Sequence, residues 1–408
     1  MKKSLAIIMC ITMMFLMTSC IDNVPLAKQA IVKGAGIDLD DDGNIKLTLQ
    51  IFSTSGNSQN SIGVSQENAK ILTGVGKSVT EALSDAEAKQ GKTIFGGHNR
   101  IIVIGENLAK KNIKLALNFY STQPISKKNI SIAIANGNAE DILKTSLKQG
   151  IVSAQTLQEI IANANHLGLG EEMELFSLET AMINNHDSSF IPILEKIEED
   201  KSDKNQDKGD SGKKAGDEKS ADNKDSNQIE EISNIKFVGM GLIKGNKLID
   251  KIDKNITRGA LWIRKEIDKT TVYSKTEKFD LCTANIYDCN YKLSPEIVGE
   301  NIIFNLNISA SAYLGELILK ENICEDDIIE IQNKTEAVIK DECEKAFNHI
   351  LYEKKCDIFN LCNMVLQKDK KLFEKMSENL EGNLSNIKLN VSVKVDIDSV
   401  GLEFKTKV

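Results

Sequence analysis

The sequence is poor in the residues that usually announce chemistry. It carries only 4 His and 4 Pro in 408 residues, a single Trp, and aromatics at 5%. So few imidazoles exclude a His-rich metal store, and so few prolines exclude collagen-like and proline-rich recognition scaffolds. No CxxC pair, HExxH helix, GxSxG elbow or P-loop occurs. Their absence removes the zinc ribbon, the zincin site, the α/β-hydrolase nucleophile and the phosphate-cradling loop. No long basic run is found, and 59 Asp+Glu outnumber 51 Lys+Arg, a net charge of −8 that argues against nucleic-acid binding. Long apolar runs are missing except at the very start, so the chain does not weave repeatedly through a bilayer. What remains is 41% apolar content in a chain long enough for two or three domains of about 150 residues each.

The start, MKKSLAIIMCITMMFLMTSC, has a short positive region at Lys2 and Lys3 and an apolar run from Leu5 to Met17. That run is shorter than the ~20 residues a spanning helix needs, and it has the proportions of a secretory signal. It ends in Leu16-Met17-Thr18-Ser19-Cys20, which resembles the lipobox of bacterial lipoproteins. Residues 1–19 are therefore expected to be a lipoprotein signal peptide, with Cys20 the lipidated residue carrying diacylglycerol and palmitate chains. Two or three acyl chains anchor stably where one does not. Cleavage removes two basic residues and takes the balance from −8 to −10, leaving an acidic body held at the outer face of a phospholipid membrane.

Six cysteines remain after Cys20, all in the second half: Cys282, Cys289, Cys324, Cys343, Cys356 and Cys362. An even number in an exported protein permits disulfides, and their spacing makes no zinc site. Cys343 falls on the apolar face of a predicted helix, where a thiol acts as a small buried hydrophobe. Pairing and burial both remain open at this point.

The stretch from Glu198 to Gln228 has no apolar residue larger than alanine. It cannot bury enough surface to offset its ordering entropy and reads as a disordered charged spacer. It divides the mature chain into an N-terminal mixed α/β domain, 20–197, and a C-terminal α+β domain, 229–408. In the first, strands are predicted at Ala30–Ile37, Ile45–Phe52, Ile101–Ile104 and Ile130–Ala135. Helices are predicted from Ser65 through Leu83, at Glu106–Tyr120, at Ala139–Lys148 and at Ala154–Asn165. Asp38, Asp40 and Asp42 alternate as in a calcium loop, but the twelfth position is Leu49 rather than Glu, so a turn is expected. Gly34-Ala35-Gly36 lacks the third glycine and the helix of a dinucleotide site. In the second domain a hairpin is predicted at Phe237–Ile252. Further sheet follows at Gly259–Ile263 and Asn301–Ala312, then a long helix at Asp326–Leu351. The last strand, Ile387–Ile397, alternates apolar and polar residues and is half-buried.

Several segments together resemble the GerAC-type C-subunit lipoproteins of bacterial spore germinant receptors. They are Ala30–Asp38 with its Gly36-Ile37-Asp38, Leu47–Ile51, and Gly97-His98-Asn99-Arg100 leading into Gly105-Glu106 and Leu108-Ala109. In the second half they are Phe237–Ile249, Thr257-Arg258-Gly259 and Asp357-Ile358-Phe359. Ile256 stands where the family usually has Glu, and Asn360-Leu361-Cys362 replaces a glycine-bearing continuation. Each motif is weak alone, but their order and their place behind a lipobox are specific. The resemblance implies an α+β, multi-domain fold of mixed sheets with flanking helices. It implies a non-enzymatic subunit on the outer face of the spore inner membrane, supporting nutrient-triggered germination. Its partners would be a multi-spanning A-type subunit and a B-type subunit, with a small-molecule germinant bound by the complex.

No catalytic, cofactor-binding or metal site is expected. His98 beside Asn99 and Arg100 reads as a structural turn residue, and His166 and His186 as loop residues. Glu342, His349 and Cys356 share a helical spacing of seven, but at ~1.5 Å per residue they cannot converge on one ion. Glu171-Glu172 and Asp187-Ser188-Ser189 read as solvated loops. The rival reading is a lipid-anchored solute-binding module, which needs a cleft lined by aromatics such as Trp262 and Tyr313. For the receptor-subunit reading, the edge strand at Lys388–Ile397 is a conceivable docking place.

Overall fold

The computed structural model describes residues 25, 28–52, 69–123, 126–147, 153–184, 186–197, 234–299, 301–317 and 323–400. Cys20, Ser65 and the 198–228 segment lie outside them. Two mixed sheets with flanking helices make up the described chain.

The first sheet has nine strands: β1 (Gln29–Leu39), β2 (Ile45–Phe52), β3 (Ala69–Gly76), β4 (Thr93–Phe95), β5 (Ile101–Ile104), β6 (Ser131–Ala135), β7 (Ser188–Lys196), β8 (Ile235–Lys244) and β9 (Lys247–Ile252). Their order is β3-β2-β1-β5-β6-β7-β8-β9, with the short β4 on β1. The centre, β1-β5-β6-β7, is parallel, and both wings are antiparallel meanders. Parallel strands are covered on both faces, so they read as unbroken apolar runs. Ile101-Ile102-Val103-Ile104 is such a run. Ile101 and Val103 enter one core, Ile102 and Ile104 the opposite one.

The helices of this half are α1 (Val79–Gln90), α2 (Glu106–Lys111), α3 (Lys114–Thr122), α4 (Ala139–Leu147), α5 (Ser153–His166) and α6 (Leu175–Asn184). Two expectations change here. Ile71, Leu72 and Val75 are strand residues, and the helix starts only at Val79, where the Ser78 hydroxyl accepts from Glu81 N–H at 3.2 Å. Their spacing fits either period. Gly74 decides the matter, because any Cβ there would overlap the Ala82 carbonyl of α1, which lies directly on the strand. The helix expected at Glu106–Tyr120 is two helices. Asn112 is extended and its side chain caps α3 through Lys114 N–H at 2.9 Å.

The predicted hairpin at Phe237–Ile252 forms, but it belongs to the first sheet: β8 pairs with β7 along its whole length. Ile197 N–H donates to Asn234 C=O at 2.7 Å, so the two ends flanking the charged segment meet. Gly259–Ile263, expected as strand, is instead the core of α7 (Lys254–Arg264). The Asp253 carboxylate starts that helix by accepting from Asn255 and Ile256 N–H, both at 2.9 Å.

The second sheet is β10 (Thr270–Ser274), β11 (Cys282–Val298), β12 (Asn301–Leu317) and β13 (Ile387–Val400) in that order. β11 and β12 form a long antiparallel hairpin, and β13 joins β12 in parallel. α8 (Glu325–Phe347) continues as a π-helical turn, Asn348–Glu353, and is followed by α9 (Leu361–Lys368), α10 (Lys370–Ser377) and a single turn at Leu380–Asn383. α7, α8 and the inner face of the second sheet share one core with Trp262, Phe304, Ile339 and Phe347 at its centre. β13 shows the predicted alternation: Ile387, Val391 and Val395 are buried while Lys388, Ser392 and Lys394 are exposed.

Candidate functional site

Of the first-half motifs, Gly97-His98-Asn99-Arg100 lies at the start of β5, whereas Gly36-Ile37-Asp38 and Gly105-Glu106 converge at the carboxyl ends of the parallel strands, where an open α/β sheet commonly holds its ligand. Here that place is filled from within. The Asp38 carboxylate, 4% exposed, accepts from Ala139 N–H at 2.8 Å and Glu140 N–H at 2.9 Å. It therefore occupies the positive N-terminal end of α4, which would otherwise attract an anion. Burial pushes the Asp38 carboxyl above its ordinary value, against those two N–H bonds and with the Glu140 charge adding to the rise. Gly105 lies so close that a Cβ would overlap the Asp38 carboxylate. Glu106, next in the chain, takes Lys110 at 2.6 Å and Lys251 at 2.8 Å. Burial raises the Glu106 pKa, but the two lysines outweigh it and the net shift is downward. Asp38 and Glu106 are thus joints between strands and helices. Nearby, Asp40 accepts from Asn44 N–H at 2.7 Å, so the Asp-rich segment is a turn, as its spacing suggested.

A second joint ties α7 to α8. Arg258 donates from Nε to Glu342 at 3.0 and 3.2 Å, from Nη2 to the same carboxylate, and from Nη1 to the Thr271 carbonyl at 3.1 Å. Trp262 Nε1 donates to Glu342 at 3.2 Å. Arg258 and Glu342 are 7% and 8% exposed, and Trp262 is fully buried. The Thr-Arg-Gly segment thus fixes the helix pair from within a helix, a role that the strand expected from Gly259 onward missed.

Two clefts open where the first sheet's helices meet the second sheet. One, of about 640 Å³, is lined by His166, Leu167, Arg258, Lys269, Tyr273 and Tyr313. The other, of about 520 Å³, includes Glu171, Phe176, Arg264, Leu293 and Met364. In the second, Glu171 is held by Arg264 at 3.0 Å and is no solvated loop residue. Ser188 and Ser189, likewise read as loop, are buried in β7. His166 and Tyr313 line the first cleft; Trp262 lines neither, being in the core.

The remaining sequence candidates stay apart. His98 sits exposed at the turn before β5 with its ring edge-on to Phe95, centroids 5.8 Å apart. Burial and the neighbouring Lys33, Lys127 and Arg100 charges push its pKa down. His186 stacks on Phe373. His349 bridges Asp250 of β9 and Glu353, each at 2.8 Å, pinning the π-turn to the first sheet. Glu342 and Cys356 face other partners. Among the described residues, no group of three or more His, Cys, Asp or Glu is placed to hold a metal. All six cysteines are free; Cys282, Cys343, Cys356 and Cys362 are buried. Burial pushes the Cys356 thiol up to about 11, so it is not a thiolate nucleophile near neutral pH. The outer edge of β13 is partly covered, since Glu336 and Gln332 of α8 bond Val395 N–H and C=O, both at 2.9 Å. No described helix is long and apolar enough to cross a membrane.

Comparison with known proteins agrees with the resemblance seen in the motifs. The spore germination protein N-terminal domain matches residues 22–196, and the spore germination B3/GerAC-like C-terminal domain matches 238–401. Spore germination protein B3 of Bacillus subtilis is 21% identical over 308 residues, covering 74% of this chain and 72% of that protein. Spore germination protein KC of the same organism is 28% identical over 113 residues, 27% of this chain and 28% of that protein. The crystal structure of the GerBC protein superposes with a TM-score of 0.56 at 17% identity, covering 90% of this chain and 97% of that one, which establishes a shared fold.

Proposed function

Because the chain belongs to the GerAC-like family of spore germination proteins, with both family domains in order along it, we propose that it is the lipid-anchored C subunit of a spore germinant receptor. Its role is positional rather than catalytic. Cys20 carries the lipid and holds the body at the outer face of the spore inner membrane. Confinement to that surface raises its effective concentration beside the A-type and B-type subunits it supports. The observation that carries this reading is the succession of two germination-family domains behind a lipobox. The structural joints suit it: Asp38 and Arg258, which motif reading singles out, tie a helix to the first sheet and one helix to another.

Affinity capture of the tagged, lipidated protein from gently solubilised dormant-spore inner membrane, followed by mass spectrometry, tests the proposal. Recovery of a multi-spanning subunit and its B-type partner is the expected result. Recovery of the protein alone with a bound small solute would overturn it in favour of the solute-binding module. That alternative has lost one of its two aromatics, since Trp262 is core. Cys20→Ala leaves the body folded but unanchored and reduces germination to receptor-specific germinants; a variant still membrane-bound and fully active would refute the anchor. Charge reversal at Lys388 and Lys394 tests β13 as the docking edge, and undiminished recovery of the partner subunits would sink that surface.

A further inference from the structure

The first sheet has two ends that differ in how their charges are paired. At the finishing end of the parallel strands, cations and carboxylates meet: Lys46 with Glu140 at 2.7 Å, and Lys110 and Lys251 with Glu106. At the starting end, where β1, β4, β5 and β6 all begin, Glu87, Glu172 and Glu174 are present but turn to Ile94 N–H, the Ser131 hydroxyl and the Ser131 backbone rather than pairing with the cations gathered there. Arg100 N–H donates to the Lys33 carbonyl at 2.9 Å, and the Arg100 carbonyl accepts from Ser131 N–H at 3.0 Å. These backbone bonds bring the segments bearing Lys33, His98, Arg100 and Lys127 together. Lys33 and His98 both have their pKa pushed down by burial first and then by the neighbouring positive charges. Among the described residues, Lys33, Arg100 and Lys127 form no ion pair. Glu172, at the same end, accepts from the Ser131 hydroxyl at 2.9 Å. Arg100 and Lys127 are exposed.

An acidic protein that gathers unpaired cations on one face pays a repulsion there that a polyanionic surface would relieve. The position of the face says which surface. β1 starts at Gln29, nine residues after Cys20, and nine residues reach at most about 30 Å. The segment entering this end of the sheet is thus the one that leads from the anchor. The body as a whole is negative, so an anionic bilayer disfavours its acidic faces and favours this one.

We propose that the end of the first sheet where β1, β4, β5 and β6 begin is a docking face for anionic lipid headgroups, with Lys33, Arg100 and Lys127 contacting the phosphates. The inference rests on the Cys20 anchor for its proximity to the bilayer. It adds that the anchored body stands in one orientation, strand starts toward the membrane and Asp38, Glu106 and Glu140 away from it. The two clefts and the β13 edge are then presented relative to the bilayer in a fixed way, available to membrane partners at a set height.

The test uses the full-length lipidated protein in vesicles of phosphatidylcholine alone or mixed with phosphatidylglycerol. Lysines are acetylated with a water-soluble reagent and read by mass spectrometry. On phosphatidylglycerol vesicles Lys33 and Lys127 should label about five-fold more slowly, the protection expected for basic residues held at an anionic surface. High salt should abolish the protection, and Lys111 at the far end should label equally on both vesicles. The Arg100→Gln/Lys127→Gln variant should float with both vesicle types through its anchor, yet lose the protection at Lys33. Equal labelling of Lys33 and Lys127 on both vesicles, in a protein that floats with both, overturns the docking face and leaves the anchor intact. Protection that appears only when other receptor subunits are co-reconstituted overturns it too, assigning the face to an acidic protein. A wild-type protein that fails to float with phosphatidylcholine refutes the anchor instead, and labelling on phosphatidylglycerol still decides the face.

Discussion

The joint between α7 and α8 can be taken apart one side at a time. In Arg258→Met the Glu342 carboxylate keeps only the Trp262 N–H among its three donor groups, in a site 8% exposed. Breaking a buried ion pair from one side leaves an uncompensated charge and costs about 3–5 kcal/mol. In Glu342→Leu the guanidinium keeps only the Thr271 carbonyl, and the cost is again about 3–5 kcal/mol by the same reasoning. If the costs were independent, the double variant would lose the sum, about 6–10 kcal/mol. It should not. Replacing both partners with apolar groups removes both desolvated charges at once. The loss that remains is the Trp262 N–H and the Thr271 carbonyl left unpaired, about 1–3 kcal/mol each, and each single variant already carries one of these on top of its bare buried charge. The double variant should therefore be more stable than either single one. Urea unfolding followed by tryptophan fluorescence reads this directly, because Trp262 is the only tryptophan and lies in the joint. Strictly additive losses, or an Arg258→Met variant within about 1 kcal/mol of wild type, would refute the buried-pair reasoning.

Three further outcomes follow from the same structure. Deleting 201–227 shortens the connection between Ile197 and Asn234 from 36 residues to 9, and because those ends already meet, loop closure should become easier by about 1.2 kcal/mol. A melting temperature that falls instead would show that the charged segment is more than a spacer. Asp38→Ala removes the acceptor for two N–H groups at the start of α4 and should cost about 0.5–2 kcal/mol in urea titration; no change would show that the cap is idle. Glu106 and Glu140 are pushed up by burial but pulled further down by their lysines. Their folded pKa values lie below the unfolded one of about 4.3, so their contribution is complete above that pH and lost as pH falls through the folded values. Each pair is partly exposed and worth less than about 1 kcal/mol. The urea midpoint should hold from pH 7 to 5 and fall below about pH 4.3, with a smaller fall in Glu106→Gln/Glu140→Gln.

Hydrophobic period carried much of the secondary structure into view. The unbroken apolar run Ile101–Ile104 and the alternation of Ile387–Ile397 each admit one arrangement, a strand covered on both faces and a strand covered on one. The Asp-rich segment after Asp38 marked a turn because only certain residues make one. Local pattern misled where it was degenerate. Ile71, Leu72 and Val75 fit helix and strand alike, and Leu261-Trp262-Ile263 looks like strand until Asp253 is seen capping a helix.

The sequence by itself determined the charged segment, most of the alternation of helices and strands and, through short motifs in order, the family. These are properties of nearest neighbours along the chain, and each is written in a few consecutive residues. Only tertiary structure decided what the motif residues do. Asp38 caps a helix 101 residues away, Arg258 pairs with a carboxylate 84 residues away, and Lys33 shares an end of the sheet with Arg100 and Lys127. β8 and β9 follow the charged segment yet complete the sheet that precedes it. The physical reason is one of range. Period and turn chemistry act over a few residues, whereas pairing of strands, burial of charge and the gathering of like charges depend on which distant segments the core brings together.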